Sequence, residues 1–371
     1  MGSAKKKLVL GVTMILMGWV CVQRAAAITY KLTDIGSLGS GKSYAEDINS
    51  KGQITGYSFT ASDPDSHAFL WSNGVMGDLG KPVGGVTIAY GINSSSQIVG
   101  IGNVTGDSHG FIYQNGTVAD LYPLGFYEAH SINSIGQVTG TGRVGGNPSH
   151  GLLYTNGSVT DLGTLGGMTS TAWGINDAGK VVGESEISAN LGITHAFLYD
   201  HGAMIDLGGL GGTYSSAGGI NADGTIITGY SWIDTYMPGG LNRRHGFYYS
   251  GGAIHDLGTF GGNNSGAGSA PNASGDFVGW AEVPGGISHG FLYTGGIMKD
   301  LNGILDASGA GWTLSVASAI NDSSWITGYG IAPGGNTRGF LLTPTPEPSA
   351  IGLLGLASLM IRRKRRRLIE T

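Results

Sequence analysis

The chain has 371 residues, of which 70 are glycine, 20 are lysine or arginine and 25 are aspartate or glutamate. The glycines follow no three-residue period, which excludes a collagen-like fold, and they separate short runs rich in Val, Ile, Phe, Tyr and Leu, as turns separate short strands. Residues 28–343 carry 10 basic and 23 acidic side chains. Such an acidic domain, without a basic stripe, argues against nucleic acid and anionic membrane surfaces as partners. The only cysteine, Cys21, precedes this domain, so no disulfide, thiolate metal site or cysteine nucleophile is expected in it.

Residues 1–27 have the three parts of a secretory signal peptide. Lysines at 5–7 form the positive region, an apolar stretch covers 8–20, and a run of three alanines precedes residue 28. The sequence therefore predicts export, with the cleavage site formed by the small residues Ala25 and Ala27.

A motif of about 45 residues recurs seven times between residues 28 and 343, a period typical of solenoids and propellers. Each copy contains an Asn, then Val-Gly or Thr-Gly, then a His-Ala-Phe-like run, then Asp-Leu. The Asn stands at 49, 93, 133, 176, 221, 272 and 321. The His stands at 67, 109, 150, 195, 245 and 289, with Arg338 in the seventh copy.

One copy, residues 89–121, is predicted to form four strands, which we call A to D. The Asn begins a tight A-to-B turn, and a Gly three residues later in five copies suggests that this position needs a positive φ. Asn115-Gly116 is a hairpin signal between strands C and D. The B-to-C and D-to-A connections vary in length, so they are expected to share one face of the domain, which we call the variable-loop face.

The two ends of the repeat region distinguish a propeller from a β-solenoid. The region begins with a D-like strand at 30–36 that has no A, B or C strand before it, and the seventh copy has no D strand. These incomplete ends complement one another if the chain closes into a ring, and closure leaves no exposed sheet end. We therefore predict an all-β, seven-bladed propeller of four-stranded blades, in which the N-terminal strand completes the last blade.

The motif resembles the bacterial extracellular repeats known as HAF repeats. His-Ala-Phe is literal at 67–69 and 195–197, and 161–167 matches the same pattern. The resemblance covers about residues 30–342 and implies an extracellular location, but it implies no biochemical activity.

The recurring His and Asp are interpreted as structural. The His lies eleven residues before the Asp in each of six copies, which would place the two side chains on paired C and D strands, where they can share a hydrogen bond. Arg338 would pair with Asp34 across the ring closure. Equivalent residues of different blades lie too far apart to bind one metal ion, so no metal or cofactor is expected. The Asp residues of this pattern are Asp34, Asp78, Asp120, Asp161, Asp206, Asp256 and Asp300.

Candidate binding residues are those that differ between copies on the variable-loop face. The longest B-to-C loop, 230–244, combines aromatic, amide and charged side chains that suit sugar rings, and its Arg-Arg pair could meet an acidic polysaccharide. The alternative for each candidate is packing between blades or a solvated loop. The candidates are Trp232, Asp234, Tyr236, Arg243, Arg244, Glu128 and Trp173, with Tyr90, Tyr127 and Trp312 as further members.

The enzyme alternative requires two carboxylates about 5 to 10 Å apart, as in glycosidases. Glu184 and Glu186 lie on one side of a strand, and Glu128 and Asp234 lie in loops. No nucleophile motif, phosphate loop or metal-ligand spacing is present, so no catalytic residue is assigned.

Residues 344–371 resemble a PEP-CTERM sorting signal. Pro346, Glu347 and Pro348 precede an apolar segment at 350–361, and a basic run beginning with Arg362 and Arg363 follows. The resemblance implies a Gram-negative-type bacterium, processing by an exosortase, transient membrane anchoring through the apolar segment, and a destination at the cell surface or in an exopolysaccharide matrix. A twelve-residue helix reaches only about 18 Å, less than a bilayer core, and a plain C-terminal anchor is the alternative. The sequence thus predicts an exported, non-catalytic binding or scaffolding protein. An extracellular polysaccharide hydrolase or lyase and a protein-interaction platform are the alternatives.

Overall fold

The computed structural model describes residues 29–146, 148–189, 192–233 and 243–345. They form 28 β-strands and three 3-10 helices of one turn each, at Tyr122–Leu124, Leu301–Gly303 and Ala307–Gly309. The strands build seven antiparallel four-stranded sheets. The predicted signal peptide and residues 346–371 of the predicted sorting tail lie outside the described residues, whereas Pro344, the first residue of that tail, belongs to the last strand of the domain, Thr337–Pro344.

Each sheet is one blade, with strand A innermost and strand D outermost. The first strand is β1 (Tyr30–Asp34). Blade 1 consists of β2 (Gly39–Ile48), β3 (Ile54–Thr60), β4 (Ser66–Ser72) and β5 (Val75–Gly80). Blade 2 consists of β6 (Thr87–Ile92), β7 (Ile98–Val104), β8 (Asp107–Gln114) and β9 (Thr117–Asp120). Blade 3 consists of β10 (Phe126–Ile132), β11 (Val138–Gly142), β12 (His150–Thr155) and β13 (Ser158–Asp161).

The remaining blades follow the same order. Blade 4 consists of β14 (Ser170–Ile175), β15 (Val181–Glu186), β16 (Thr194–Asp200) and β17 (Ala203–Gly208). Blade 5 consists of β18 (Ser215–Ile220), β19 (Ile227–Trp232), β20 (Arg244–Ser250) and β21 (Ala253–Gly258). Blade 6 consists of β22 (Ser265–Ala267), β23 (Phe277–Val283), β24 (Ile287–Thr294) and β25 (Ile297–Asp300). Blade 7 consists of β26 (Thr313–Ile320), β27 (Ile326–Ile331), β28 (Thr337–Pro344) and the first strand, β1.

The predicted ring closure is confirmed. Strand β1 is antiparallel to β28, with Tyr30 opposite Pro344 and Asp34 opposite Phe340. The first strand of the domain is therefore the outermost strand of its last blade. This arrangement joins the two ends of the ring through main-chain hydrogen bonds and gives blade 7 its fourth strand.

The residues of the His-Ala-Phe run have different structural roles. The Phe is fully buried in the core of its blade in six copies, as in Phe69 and Phe111, and burying such a side chain stabilises the fold by about 1.5–3 kcal/mol. The small middle residue faces strand A of the next blade. At Gly110 an added Cβ would already lie 3.2 Å from the amide nitrogen of Ala129. Large residues are excluded there because adjacent blades touch.

The turn after the recurring Asn has the predicted backbone conformation. The third residue after the Asn has a positive φ in all seven copies, including the two where it is not glycine, Ser96 (62°) and Ser324 (56°). The Asn side chain also bonds within this turn. The Asn49 carboxamide oxygen accepts hydrogen bonds from the amides of Lys51 and Gln53, each 3.0 Å away. Local side-chain bonds of this type stabilise the turn.

The same Asn residues also join neighbouring blades, which the sequence did not predict. The side-chain amide of Asn49 donates to the carbonyl of Asn93 in the next blade (3.0 Å), and Asn321 of blade 7 donates to the carbonyl of Asn49 (3.0 Å). We call this set the asparagine ring. Asn221 is the exception, because its amide group donates to Thr225 of its own blade. The other members are Asn93, Asn133, Asn176 and Asn272, each bonded to the carbonyl of the following Asn.

A β-bulge in strand A explains the Val-Gly and Thr-Gly pairs. In blade 1 the register shifts between Ala45 and Asp47, so Glu46 is an extra residue in strand A. The bulge brings a carbonyl close to strand B, and a Cβ on Gly56 would lie 2.0 Å from the Tyr44 oxygen. Only glycine fits there. The equivalent glycines face the same obstacle at 100, 140, 183, 229, 279 and 328.

Candidate functional site

The bulge residue of strand A points toward the central channel of the propeller. It is the third residue before the recurring Asn, and a bulge is a common means of redirecting one side chain out of a sheet. This position differs in nearly every blade: it is Glu46, Tyr90, His130, Trp173, Gly218, Ser269 and Ser318 in blades 1 to 7. In blade 6 the equivalent residue, Ser269, follows the end of the short strand β22 and is not part of a strand bulge. All seven residues line one cavity of about 530 Å³.

The cavity is large because its wall is asymmetric. Blades 1 to 4 supply large polar or aromatic residues at the bulge position, whereas blades 5 to 7 supply Gly218, Ser269 and Ser318. The small residues leave space opposite the large ones. A cavity of this size is in the range of small-ligand sites.

A first group of side chains is the tyrosine cluster, formed by Tyr44, Tyr57 and Tyr329, which are not themselves among the residues that line the cavity. The rings of Tyr44 and Tyr57 stack with centroids 4.7 Å apart, and Tyr329 meets Tyr44 edge-on at 5.0 Å. Burial raises the pKa values of Tyr57 and Tyr329, and the charge of Glu46 adds to both rises. Burial, together with the charge of Asp47, raises the pKa of Glu46 itself to about 7.

Asp47, which follows Glu46 in strand β2, links blades 1 and 2. Its carboxylate accepts hydrogen bonds from the backbone amides of Ile48 and Ile92, each at 2.8 Å. Burial raises the pKa of Asp47 to about 7, although the two amide donors oppose the rise. The cavity wall therefore contains two adjacent carboxyl groups that ionise near neutral pH.

The second group is the histidine cluster, formed by Tyr90, Glu128, His130 and Trp173. The His130 ring stacks on Trp173 at 4.1 Å and meets Tyr90 edge-on at 5.9 Å. Its side chain is only 4% exposed. Its Nδ1 lies 3.0 Å from the Ala172 carbonyl, which can only accept, so Nδ1 carries a hydrogen.

The second nitrogen of His130 makes Glu128 part of the same unit. His130 Nε2 lies 2.8 Å from Glu128 Oε2, and since Nδ1 already carries a hydrogen, this contact requires a second proton between the two groups. The hydrogen bond to His130 lowers the pKa of Glu128, while burial opposes this. Burial and the charges of Glu128 and Glu46 raise the pKa of Tyr90 to about 12.

A second cavity of about 560 Å³ adjoins the histidine cluster on the variable-loop side. Its lining includes Tyr127, Glu128, Arg143 and Trp173, and the last of these also lines the main cavity. The Thr141 hydroxyl also lies in this wall and has no hydrogen-bond partner among the described residues.

The third group is the arginine cluster, from blades 4 to 6. The guanidinium of Arg244 lies 4.8 Å from the ring centre of Trp280 and 5.1 Å from that of Tyr230. Tyr214 packs against Trp232 with ring centroids 5.4 Å apart and donates a hydrogen bond to Glu184. Burial and the charge of Glu184 raise the pKa of Tyr214.

The recurring His and Asp side chains meet within each blade. His67 Nδ1 lies 3.1 Å from Asp78, and across the ring closure Arg338 Nε and Nη2 each lie 3.3 Å from an oxygen of Asp34. The contact distances of the other five pairs range from 2.7 to 2.9 Å. These pairs are His109–Asp120, His150–Asp161, His195–Asp206, His245–Asp256 and His289–Asp300.

Several sequence-predicted candidates lie together around the channel mouth. Glu128 and Trp173 belong to the histidine cluster, and Trp232 and Arg244 belong to the arginine cluster. Arg243 is exposed beside them. The prediction that Glu128, Trp232 and Arg244 lie in loops was wrong: Glu128 lies within β10, Trp232 ends β19 and Arg244 begins β20, because the strands extend further than the repeat pattern indicated. Asp234, Tyr236 and the processing residues at both ends of the chain lie outside the described residues.

Other candidates lie elsewhere or are engaged. Trp312 packs against the apolar core of blade 7, which corresponds to the packing alternative. Glu184 bonds Tyr214, and Glu186 accepts the amide of Met168 at 2.9 Å. Across the described ranges, no group of three or more His, Cys, Asp or Glu side chains could hold a metal ion.

Sequence reasoning missed Glu46, Asp47, His130 and the tyrosine cluster. The candidates were chosen from differences between copies in the variable loops, whereas these residues lie inside the regular strands. A signal was present in the alignment of the copies. The residue three positions before each Asn is Glu, Tyr, His, Trp, Gly, Ser and Ser in order. A repeated structural position with so little repetition of side chain indicates a surface that is free to acquire function.

Fold and site together define a seven-bladed β-propeller with an aromatic- and carboxylate-lined central cavity. No protein-family model matches the chain, and no curated protein is significantly similar to it. Among solved structures, the β-propeller domain of the Trilobed protease from Pyrococcus furiosus is similar, with a TM-score of 0.51 and 10% identity over 81% of this chain and 93% of that one. That domain is described as having an open velcro topology, whereas β1 closes the ring here.

Two further structures are more distant. The acylaminoacyl peptidase of Pyrococcus horikoshii has a TM-score of 0.48 and 9% identity over 83% of this chain, which spans 53% of the peptidase. A gluconolactonase of Xanthomonas campestris has a TM-score of 0.40 and 9% identity over 86% of this chain and 92% of that one. Identities this low transfer no activity, because one fold hosts many functions. Within the described residues, no helix has the length and apolar character needed to cross a bilayer.

Proposed function

We propose that this protein is an exported, non-catalytic binding protein that holds a cell-surface or matrix glycan at the variable-loop mouth of its central channel. The observation that carries the proposal is the cavity wall itself, in which Tyr90, His130 and Trp173 of the histidine cluster lie with Glu46 and with Tyr230 of the arginine cluster. Aromatic faces bind the apolar faces of sugar rings, and carboxylates accept hydrogen bonds from sugar hydroxyls.

Trp173 is the central aromatic contact in this proposal. It is 36% exposed, stacks on His130 and borders both cavities. A sugar ring on its open face would lie beside Glu128, whose carboxylate is 39% exposed and is held in place by His130. Pre-organised aromatic and charged groups bind with a small loss of side-chain entropy.

The cellular location rests on the two ends of the sequence. The signal peptide at 1–27 and the PEP-CTERM-like tail at 344–371 support export, processing by an exosortase-type enzyme and transient anchoring through the apolar segment 350–361. An acidic, glycine-rich repeat domain without cysteine is consistent with the outside of a Gram-negative-type cell, in or near its exopolysaccharide.

A glycan array, followed by calorimetry on the positive sugars, tests the binding function. Trp173→Ala should weaken binding at least about ten-fold, because stacking and channel shape are both lost. Ile297→Ala, which truncates an exposed side chain on the outer strand of blade 6, is the control and should bind normally. Absence of glycan binding, or retention of a protein partner with no glycan, would favour the interaction-platform alternative.

An extracellular polysaccharide hydrolase or lyase is the second candidate. It is favoured by two carboxyl groups at the channel with opposite pKa shifts, the pKa of Glu46 raised to about 7 and that of Glu128 lowered, with Tyr90 influenced by both. Such divergence is typical of acid and base pairs. A reducing-sugar release assay on the bound glycan decides. Turnover that disappears in Glu128→Gln or Asp234→Asn would replace the binding function with the enzymatic one.

A further inference from the structure

Arg244 has an unusual environment for a positive charge in an acidic domain. Its guanidinium lies between the rings of Tyr230 and Trp280, at 5.1 and 4.8 Å from their centres. Two aromatic faces fix the plane of the group and leave its N–H edge as the only direction for hydrogen bonds.

That edge donates no hydrogen bond to any described residue. The backbone amide of Arg244 donates to Asn264 at 3.1 Å, but the guanidinium forms neither a hydrogen bond nor an ion pair within the described ranges. The nearby carboxylate of Glu282 takes its hydrogen bonds from other groups; those from Asn264 chiefly lower its pKa, and the charge of Arg244 adds to the lowering. It accepts from the amide of Asn263 (3.0 Å) and from both the amide and the side chain of Asn264 (3.1 and 3.0 Å).

The guanidinium faces a recess that opens into the channel cavity. The recess has a volume of about 270 Å³ and shares Glu46, Tyr230 and Ser318 with the wall of the main cavity. A small acidic group in this recess would therefore remain attached to a ring that occupies the channel. Ser318 is one of the small residues in the wall that the recess and the main cavity share.

We propose that Arg244 is the anchor for a carboxylate on the bound sugar, so that the ligand class is the acidic saccharides, with a uronic acid in the channel. A planar guanidinium matches a carboxylate through two parallel hydrogen bonds. The sugar ring then stacks on the channel aromatics, and its hydroxyls meet Glu46. This inference rests on the proposed glycan-binding function and adds the group that selects among glycans.

The test compares two forms of one ligand on the full exported protein. Calorimetry measures the affinity for an oligogalacturonate and for the same oligomer with its carboxyl groups reduced to alcohols. The wild type should prefer the acidic form by about ten- to a hundred-fold, the usual value of a charge-assisted pair. Arg244→Gln should reduce this preference to less than about two-fold, and Arg244→Lys should lose most of it because the planar fork is absent.

Lys51 provides the control. It is exposed in the A-to-B turn of blade 1, at the short-turn end of the channel, and Lys51→Gln removes one positive charge away from the aromatic clamp. It should keep the preference, and circular dichroism should show native folding for all variants. Equal affinity of the wild type for both oligomers, or equal losses in Arg244→Gln and Lys51→Gln, would overturn the carboxylate anchor and leave the glycan-binding function intact. Binding of neither oligomer, when the glycan array is also negative, would remove both proposals.

Discussion

The two ends of the central channel are built by the same seven strands but follow different rules. At the short-turn end, the asparagine ring repeats nearly the same contacts around the circle, with Asn221 as the one departure among the described residues. Toward the variable-loop end, the bulge position changes from Glu46 through Trp173 to Ser318. The first end fixes where the blades sit, and the second uses those fixed blades to present different side chains.

The two ends are linked through strand A, where the bulge residue precedes the recurring Asn by only three residues. The Asn fixes the blade, and the bulge three residues earlier directs one side chain into the channel. Because the bulge backbone is held by a strand-B glycine, the side chain at its tip is free to vary. Repetition of the backbone thus permits variation in the site.

The largest expected effect concerns the glycine that accommodates the bulge. Gly183→Ala would place a Cβ 2.0 Å from the Thr171 carbonyl oxygen, so the backbones of strands A and B must separate. We expect a loss of more than ~3 kcal/mol in the free energy of unfolding, or failure to fold. Gly303→Ala is the control, because nothing lies within 4 Å of its added Cβ. Equal melting temperatures for the two variants would refute the bulge account.

A smaller effect is expected from the asparagine ring. Asn93→Asp keeps the oxygen that stabilises its own turn but removes the donor to the Asn133 carbonyl and buries a charge there. We expect a loss of about 2 kcal/mol or more. Asn221→Asp should cost half of this or less, since that amide contacts Thr225 and Asp223 within its own exposed turn and makes no bond to the next blade among the described residues. Thermal unfolding of both variants measures the difference, and a larger cost at 221 would contradict the role of the ring.

The pH dependence of folding stability tests the environment of Glu46, which lies at the channel and not in the asparagine ring. Its pKa is raised to about 7 in the folded protein. Ionisation therefore disfavours the folded state, and stability is lost as pH rises from about 4.5, the ordinary pKa, to about 7. Glu46→Gln should be more stable than the wild type at pH 8 by ~1–3 kcal/mol and equal to it below pH 4.5.

Glu128→Gln provides the control of opposite sign for this prediction. Its folded pKa is lowered by His130, so its carboxylate stabilises the fold above the ordinary pKa and loses that effect as pH falls. This variant should be less stable than the wild type at pH 8. Melting curves of both variants at pH 8 and at pH 4 check the signs, and a destabilised Glu46→Gln at pH 8 would rule out the burial argument.

The smallest effect is expected at the ring closure. Arg338→Ala removes a two-pronged contact with Asp34 and a hydrogen bond to Ser37 at 3.1 Å. The pair is partly exposed, so about 1 kcal/mol is expected. Lys42→Ala, an exposed lysine in strand A of blade 1, should leave the melting temperature unchanged. An unchanged melting curve in Arg338→Ala would mean that main-chain pairing of β1 with β28 suffices for closure.

The ring could be predicted from sequence because its evidence is local and repeated. The Asn spacing, the Asn115-Gly116 hairpin signal and the unmatched strand at 30–36 each follow from turn chemistry or strand count. The asparagine ring could not be predicted, because a single copy of the repeat contains only the turn and not the carbonyl of the next blade.

The candidate site was predicted only in part. Glu128, Trp173, Trp232 and Arg244 were selected as differing residues and lie at the channel mouth. Glu46 and His130 were not predicted because a bulge leaves no mark in the two-residue periodicity of a strand. Without the bulge, their side chains would be assigned to one of the two faces of the sheet and not to the channel. Arg244 and Trp280 belong to blades 5 and 6, so their proximity could not be predicted from a single copy of the repeat.

The most direct test of the binding channel is to fill the open half of the cavity. Blade 4 carries Trp173 at its bulge position. Ser318→Trp places the same residue at the equivalent position of blade 7. We expect the melting temperature to change by only about a few degrees, while affinity for the glycan falls at least about ten-fold. Ser318→Tyr, which copies the side chain of Tyr90 in blade 2, should behave alike. Undiminished glycan binding in these folded variants, or loss of folding in both, would contradict a channel whose bulge positions vary freely to form the binding site.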